Sequence, residues 1–210
     1  MNVMGTTMKF PLAAAIDRIE QAAALILYGF LVVRVWPSDL STNSLAPALV
    51  LISEGVIVFF LLIRRASNDI SLRPQDWLAA VVGTTAPLLV AKSAEPAFLG
   101  PGVFLLLFGM ATQVSAKLSL RRSFGLVPAN RGVKTGGAYR FARHPMYLGY
   151  MISHVGFLLL APTWWNAGVY AVCWVCLLFR IEFEERLLSA DPFYQSFKSK
   201  VRFRLLPGVY

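Results

Sequence analysis

A chain of 210 residues that is 57% hydrophobic and only 15% charged, with a mean hydropathy of +0.60, carries too few charges for a soluble domain, where roughly 25% is usual. Its net charge of +9 does not indicate nucleic acid, because the cations fall in blocks between apolar runs, as in loops that face anionic lipid. These figures exclude a soluble enzyme and a nucleic-acid-binding module, and they predict an all-α, polytopic membrane bundle forming one domain over 1–210.

Taken in order, the first sixteen residues, with one Lys and a weak apolar stretch from Phe10 to Ile16, do not read as a cleavable signal. A transmembrane helix needs about 20 apolar residues, and six segments qualify or come close. The first runs from Glu20 to Trp36, with Arg34 late enough to extend its head to the interface, and Pro37 ends it. The second runs from Leu45 to Ile63 and carries Glu54 near its centre, where a carboxylate either acts functionally or fixes helix packing. The third, Trp77 to Ala91, is short and contains Gly83 and Pro87, so a kink is expected. The fourth, Phe98 to Ala116, holds no charged residue, and its helix is expected to continue past the hydrocarbon. Pro at a first helical position needs no N–H, so Pro145 marks the start of the fifth. The fifth and sixth, Met146 to Ala161 and Thr163 to Phe179, meet at Pro162 in a tight hairpin flanked by Trp164 and Trp165.

Charge placement orients these segments. Lys and Arg number none between Trp36 and Leu45, three from Arg64 to Asp76, one from Lys92 to Ala97, seven from Lys117 to His144, none at the Pro162 turn and six from Arg180 onward. The alternation predicts six spans with both termini in the cytoplasm. Arg121, Arg122, Arg131, Lys134 and Arg140 are then expected to serve topology and to contact lipid headgroups. His154, within the fifth span, is expected to be a packed polar group. Cys173 and Cys176 lack the context of a redox pair and are expected to pack or face lipid. With two histidines in the whole chain and no cysteine near them, no metal site is expected.

Two blocks remain for chemistry, Lys117 to His144 and Arg180 to Tyr210, and both belong on the cytoplasmic side. Arg143 and His144 stand where unpaired N–H groups at the start of a helix favour an anion. Across the hairpin, Glu184 and Glu185 open the second block.

Gly137-x-Tyr139, then Arg143-His144-Pro145-Met146-Tyr147-x-Gly149, then Glu184-Glu185-x-Leu187-Leu188 after an apolar hairpin, resembles the isoprenylcysteine carboxyl methyltransferase and phospholipid methyltransferase family of integral membrane enzymes. The resemblance covers roughly Leu105 to Pro207. It divides the chain into 1–97, N-terminal spans without a signature, and 98–210, a cofactor-binding catalytic half. It implies methyl transfer from S-adenosylmethionine, at the cytoplasmic face, to a lipophilic acceptor entering from the bilayer, either a prenylcysteine-like carboxylate or a phospholipid amine. Glu184 or Glu185 would pair with the cofactor's ammonium, with Glu185 the preferred of the two, and Arg143, His144 and the Pro145 helix start would hold its carboxylate. Tyr139 and Tyr147 would offer ring faces to its adenine or sulfonium. Gly136, Gly137 and Gly149 would allow close backbone approach. In the tail, Lys200 aligns with a functionally important arginine of the family, and Arg202 or Arg204 can take its place. The step from Glu185 to Tyr194 is about two residues shorter than the family pattern, with Asp191-Pro192 in place of a Phe-Gly turn. Two other readings fit less of the chain: an NADPH-dependent membrane reductase of the sterol-reductase type, whose members are longer, and a non-enzymatic membrane scaffold.

Overall fold

The computed structural model describes residues 9–35, 55–91, 93 and 95–209. Trp36, Pro37, Glu54 and most of the second expected span lie outside the described residues, as does the side chain of Arg34. Every regular element described is helical: α1 (Lys9–Val35), α2 (55–62), α3 (Pro74–Thr85), α4 (Leu99–Leu120), α5 (Pro145–Leu160), α6 (Trp164–Leu188) and α7 (Pro192–Lys200). Extended pairing among them is limited to one bridge, Ile70 with Ala129.

The segments Leu99–Ser123 and Trp164–Leu188 are long and apolar enough to cross a membrane. The core helix of a soluble protein would pass that test too, but it would be mostly buried, whereas here only 28% and 39% of the most apolar windows are. Phe104, Phe108, Val172 and Phe179 point outward, which water disfavours and hydrocarbon accepts. The third expected span is interrupted. α3 has 12 residues, about 18 Å at 1.5 Å per residue, and a single 3-10 turn, Ala86–Leu89, follows it. Pro87 has no N–H to return to Gly83, so the helical ladder stops there. The Gly83 carbonyl accepts instead from the Cys173 thiol of α6, at 3.3 Å. Cys173 and Cys176 are both free, and Cys173 is fully buried.

Lipid tails are as apolar as leucine, so helices in a membrane associate through close packing and hydrogen bonds rather than hydrophobic drive. α4 and α5 pack through two glycine pairs, each spaced by seven. A Cβ on Gly149 would lie 2.6 Å from the Gln113 nitrogen, and one on Gly109 would lie 2.5 Å from the Ser153 nitrogen. Gly156 and Gly102 repeat the contact further along, with a Gly156 Cβ 2.4 Å from the Leu106 nitrogen. Side chains at these four places would force the backbones apart. The α5–α6 hairpin closes as its sequence predicts: the Thr163 hydroxyl accepts the Asn166 N–H at the start of α6. The fully buried Asn166 side chain then bonds both backbone groups of Ala91 and the Ala161 carbonyl. His154 accepts from the Trp174 indole at 3.1 Å and stacks on Tyr170, a packed polar group.

At the other end of the bundle the helices are tied by charge. Asp76 of α3 is fully buried and receives the Arg186 guanidinium of α6. Asp17 and Glu20 of α1 are also buried and pair with Arg64 and Arg131. Arg131 is thereby withdrawn from the lipid-facing role expected of it, because two carboxylates inside the fold claim its guanidinium. Arg140 is exposed, and exposed Arg122 donates to the Ile63 carbonyl.

Candidate active site

The hairpin brings the start of α5 and the end of α6 together, and the site is built where they meet. Pro145 occupies the first turn of α5, with His144 as the cap. The His144 and Arg143 N–H groups donate to the Arg204 and Phe203 carbonyls, and the Arg143 guanidinium donates to the carbonyls of Val201 and Arg202. The tail after α7 is therefore strapped across the entrance to α5. The N–H groups of Arg143 and His144 are spent on it.

Adjacent carboxylates on α6 then diverge. Glu185 is buried and surrounded by three cations and a histidine: Arg143 Nε at 2.7 Å, Arg204 at 3.2 Å, Lys198 Nζ at 3.6 Å and His144 Nε2 at 3.3 Å. Arg204 reaches Glu182 as well. Glu184 keeps a quarter of its side chain accessible, lies 3.6 Å from His144 Nδ1 and accepts the Tyr147 hydroxyl. The Tyr147 ring stacks on His144, with centroids 5.8 Å apart, and the Arg180 guanidinium covers it at 5.1 Å. Burial works against a proton on His144, but hydrogen bonds and charge from Glu184 and Glu185 outweigh it and raise its pKa above 6.5. Burial, followed by the Glu184 charge, pushes the Tyr139 phenol well above its ordinary value, so it remains a neutral donor.

A cavity of about 100 Å³ opens beside these residues. Tyr139, Arg143, His144, Tyr147 and Glu184 form its floor, Tyr194 and Phe197 of α7 one wall, and the loop 125–134 its roof. The Tyr194 hydroxyl is buried on the side of Glu185.

Of the residues expected at the site, Tyr139, Arg143, His144, Tyr147 and Glu184 line this cavity. Glu185 and Arg204 lie behind it in the ion cluster. Pro145 is buried as the first residue of α5. Gly137 has φ +62°, which glycine adopts without strain, and its close neighbour is the Ser119 hydroxyl, where a Cβ would sit at 2.2 Å. The close approach that Gly149 permits is to the α4 backbone, not to a cofactor. Gly136 adopts φ −99° in open space and has no close approach to make. Lys200 is exposed at the end of α7, and Lys198 is the α7 lysine that reaches Glu185. Sequence reasoning passed over Arg180, Tyr194 and the roof. Arg180 had a signal, since an arginine inside an apolar helix needs a partner.

The fold is similar to that of the eukaryotic intramembrane Ras methyltransferase ICMT (isoprenylcysteine carboxyl methyltransferase), with a TM-score of 0.50 over 96% of this chain and 85% of that one, at 20% identity. Residues 97–192 match the model of the phospholipid methyltransferase family. No curated protein matches the sequence.

Proposed function

We propose that this protein transfers a methyl group from S-adenosylmethionine to a lipophilic, membrane-borne acceptor at the cytoplasmic face. The observation that carries the reading is the cavity floor: Tyr139, His144, Tyr147 and Glu184, all within the matched family stretch, converge on one space. Their chemistry suits the cofactor. Glu184 is the accessible carboxylate and takes the ammonium, and the ring of Tyr139 suits adenine or a sulfonium, whereas the Tyr147 ring is already engaged by His144 and Arg180. Arg143, with its Nε and Nη1 engaged, acts chiefly by holding Glu185 and the tail in place.

S-adenosylmethionine, when bound, supplies a methyl group activated on a sulfonium and leaves as S-adenosylhomocysteine. The chain contributes alignment, and orienting two reactants supplies up to about 7–11 kcal/mol of barrier reduction. A carboxylate acceptor arrives ionised and needs no base, whereas an amine acceptor must lose a proton. Glu184 is already engaged by the Tyr147 hydroxyl and lies beside His144, which suits an acceptor that needs no base.

The test is incubation of the purified protein with methyl-labelled S-adenosylmethionine and fractionated membrane lipids, with thermal stabilisation by S-adenosylhomocysteine and by NADPH measured in parallel. Label in a lipid fraction with stabilisation by S-adenosylhomocysteine is expected. Stabilisation by NADPH alone, without labelled product, would sink the reading.

A further inference from the structure

The roof of the cavity is held from outside the methyltransferase stretch. The Glu20 Oε1 atom of α1 accepts from the backbone N–H groups of Leu126, at 2.6 Å, and Val127, at 3.2 Å. Arg131, further along the same loop, donates to Asp17 Oδ1 at 2.6 Å and lies 3.3 Å from Glu20 Oε2. Arg64 completes the group from the segment after α2, bonding Glu20 and Asp17. That segment runs beside the roof: Ser71 N–H donates to the Pro128 carbonyl, Asn130 N–H to the Asp69 carbonyl, and the Ser67 hydroxyl to the Asn130 carbonyl. All four charged side chains are at least 94% buried.

A buried ion group of this kind is a poor source of stability, because desolvation consumes much of the Coulomb gain. Two costs are visible here: the Nε atoms of Arg64 and Arg131 have no partner among the described residues, and burial pulls the Arg131 pKa down despite two carboxylates. What the arrangement provides is direction. Gly125 has no room for a side chain, since a Cβ would lie 2.2 Å from Arg131 Nη1. The Leu126 carbonyl, opposite the N–H that Glu20 takes, accepts from Arg180, the residue that covers the Tyr147 ring. One loop residue is thus clamped between α1 and the cavity floor.

We infer that Asp17 and Glu20, with Arg64 and Arg131, are positioning residues that set the roof of the cofactor cavity, so that α1, outside the family match, governs cofactor affinity. This rests on the proposed function, and the test separates the two. In Glu20→Gln and Arg131→Met, the KM for S-adenosylmethionine and the Kd for S-adenosylhomocysteine rise by about tenfold or more, while kcat at saturation stays within about threefold of wild type. Tryptic cleavage after Lys134, in the roof, accelerates while cleavage after the exposed Lys198 and Lys200 does not, a contrast that general destabilisation would erase. Because a broken buried pair can prevent folding, the wild type supplies a second measurement. S-adenosylhomocysteine is expected to slow amide exchange in residues 126–134 and around Asp17 and Glu20 together. Unchanged Kd in the variants, or wild-type protection confined to 126–134, overturns the inference. Absence of S-adenosylhomocysteine binding by wild type overturns the methyl-transfer reading, and with it the claim on affinity; the tryptic contrast then decides whether the clamp holds the roof.

Discussion

Glu184 and Glu185 are neighbours on one helix and do opposite work. Glu185 continues the buried face of α6 marked by Cys173, Leu177 and Ile181, at intervals of four, and ends among Arg143, His144, Lys198 and Arg204. Glu184, turned by about 100° around the helix, belongs to the face of Arg180 and looks into the cavity beside Tyr147. The sequence favours Glu185 as the carboxylate for a cofactor, whereas the structure commits Glu185 to a buried ion cluster and leaves Glu184 as the carboxylate that lines the cavity.

The strongest way to break this division is Glu185→Ala. Removing one partner from a buried ion cluster leaves the other charges uncompensated, at a cost of about 3–5 kcal/mol. The variant is expected to lose activity because the 201–205 tail detaches, so thermal unfolding in detergent falls sharply and trypsin cuts after Arg202 and Arg204. A variant that keeps wild-type stability yet no longer binds S-adenosylhomocysteine would reverse the two roles.

Glu184→Gln probes the other side. The amide retains the shape and can still meet the Tyr147 hydroxyl, but it offers no charge to an ammonium. A hydrogen bond to a charged group is worth about 1.5–3 kcal/mol, so affinity for S-adenosylhomocysteine is expected to drop about ten- to hundredfold, with little change in melting temperature. Isothermal titration beside thermal unfolding checks both halves of that statement.

Features set by local chemistry were legible in the sequence. Pro145 as a helix start, the Pro162 hairpin, the length of α4 and the break at Pro87 all follow from backbone rules that act within a few residues. The convergence of Tyr139, His144, Tyr147 and Glu184 was legible through a resemblance, not through spacing. Gly149 shows where the reading went astray: glycine reports that something approaches closely, not what does, and here it is the α4 backbone. The seven-residue spacing from Gly102 to Gly109 and from Gly149 to Gly156 was the available clue. Arg131 could not be placed, because its partners Asp17 and Glu20 are more than a hundred residues away, and nothing in a single sequence pairs charges at that distance.

A smaller effect comes from His144, which touches both carboxylates and so couples the two halves of the comparison. Its pKa in the folded protein is raised above 6.5, and a raised value means that the folded state holds the proton more tightly than the unfolded chain does. The stabilisation is complete below the unfolded pKa and is lost as pH rises through the folded one. Melting temperature is therefore expected to decline as pH rises from about 6.5 through that elevated value, and His144→Gln to remove that part of the pH dependence. A wild-type profile flat across this range would leave His144 uncoupled from the carboxylates.

The smallest expected effects separate the two lysines of α7. Lys198 lies 3.6 Å from Glu185 with nearly half its side chain exposed, and exposed ion pairs are worth about 0–1 kcal/mol. Lys198→Ala should lower the melting temperature slightly and leave S-adenosylhomocysteine affinity unchanged, because the charge it balances is the assembling carboxylate. Lys200, exposed one step before the tail begins and lacking an ion pair among the described residues, should be replaceable by Ala with neither quantity altered. Its resemblance to a family arginine makes this a sharp measurement. If Lys200→Ala cuts turnover about tenfold or more at unchanged stability, the tail must reach the acceptor during the reaction, and the division between Glu184 and Glu185 would then describe only the resting arrangement of the site.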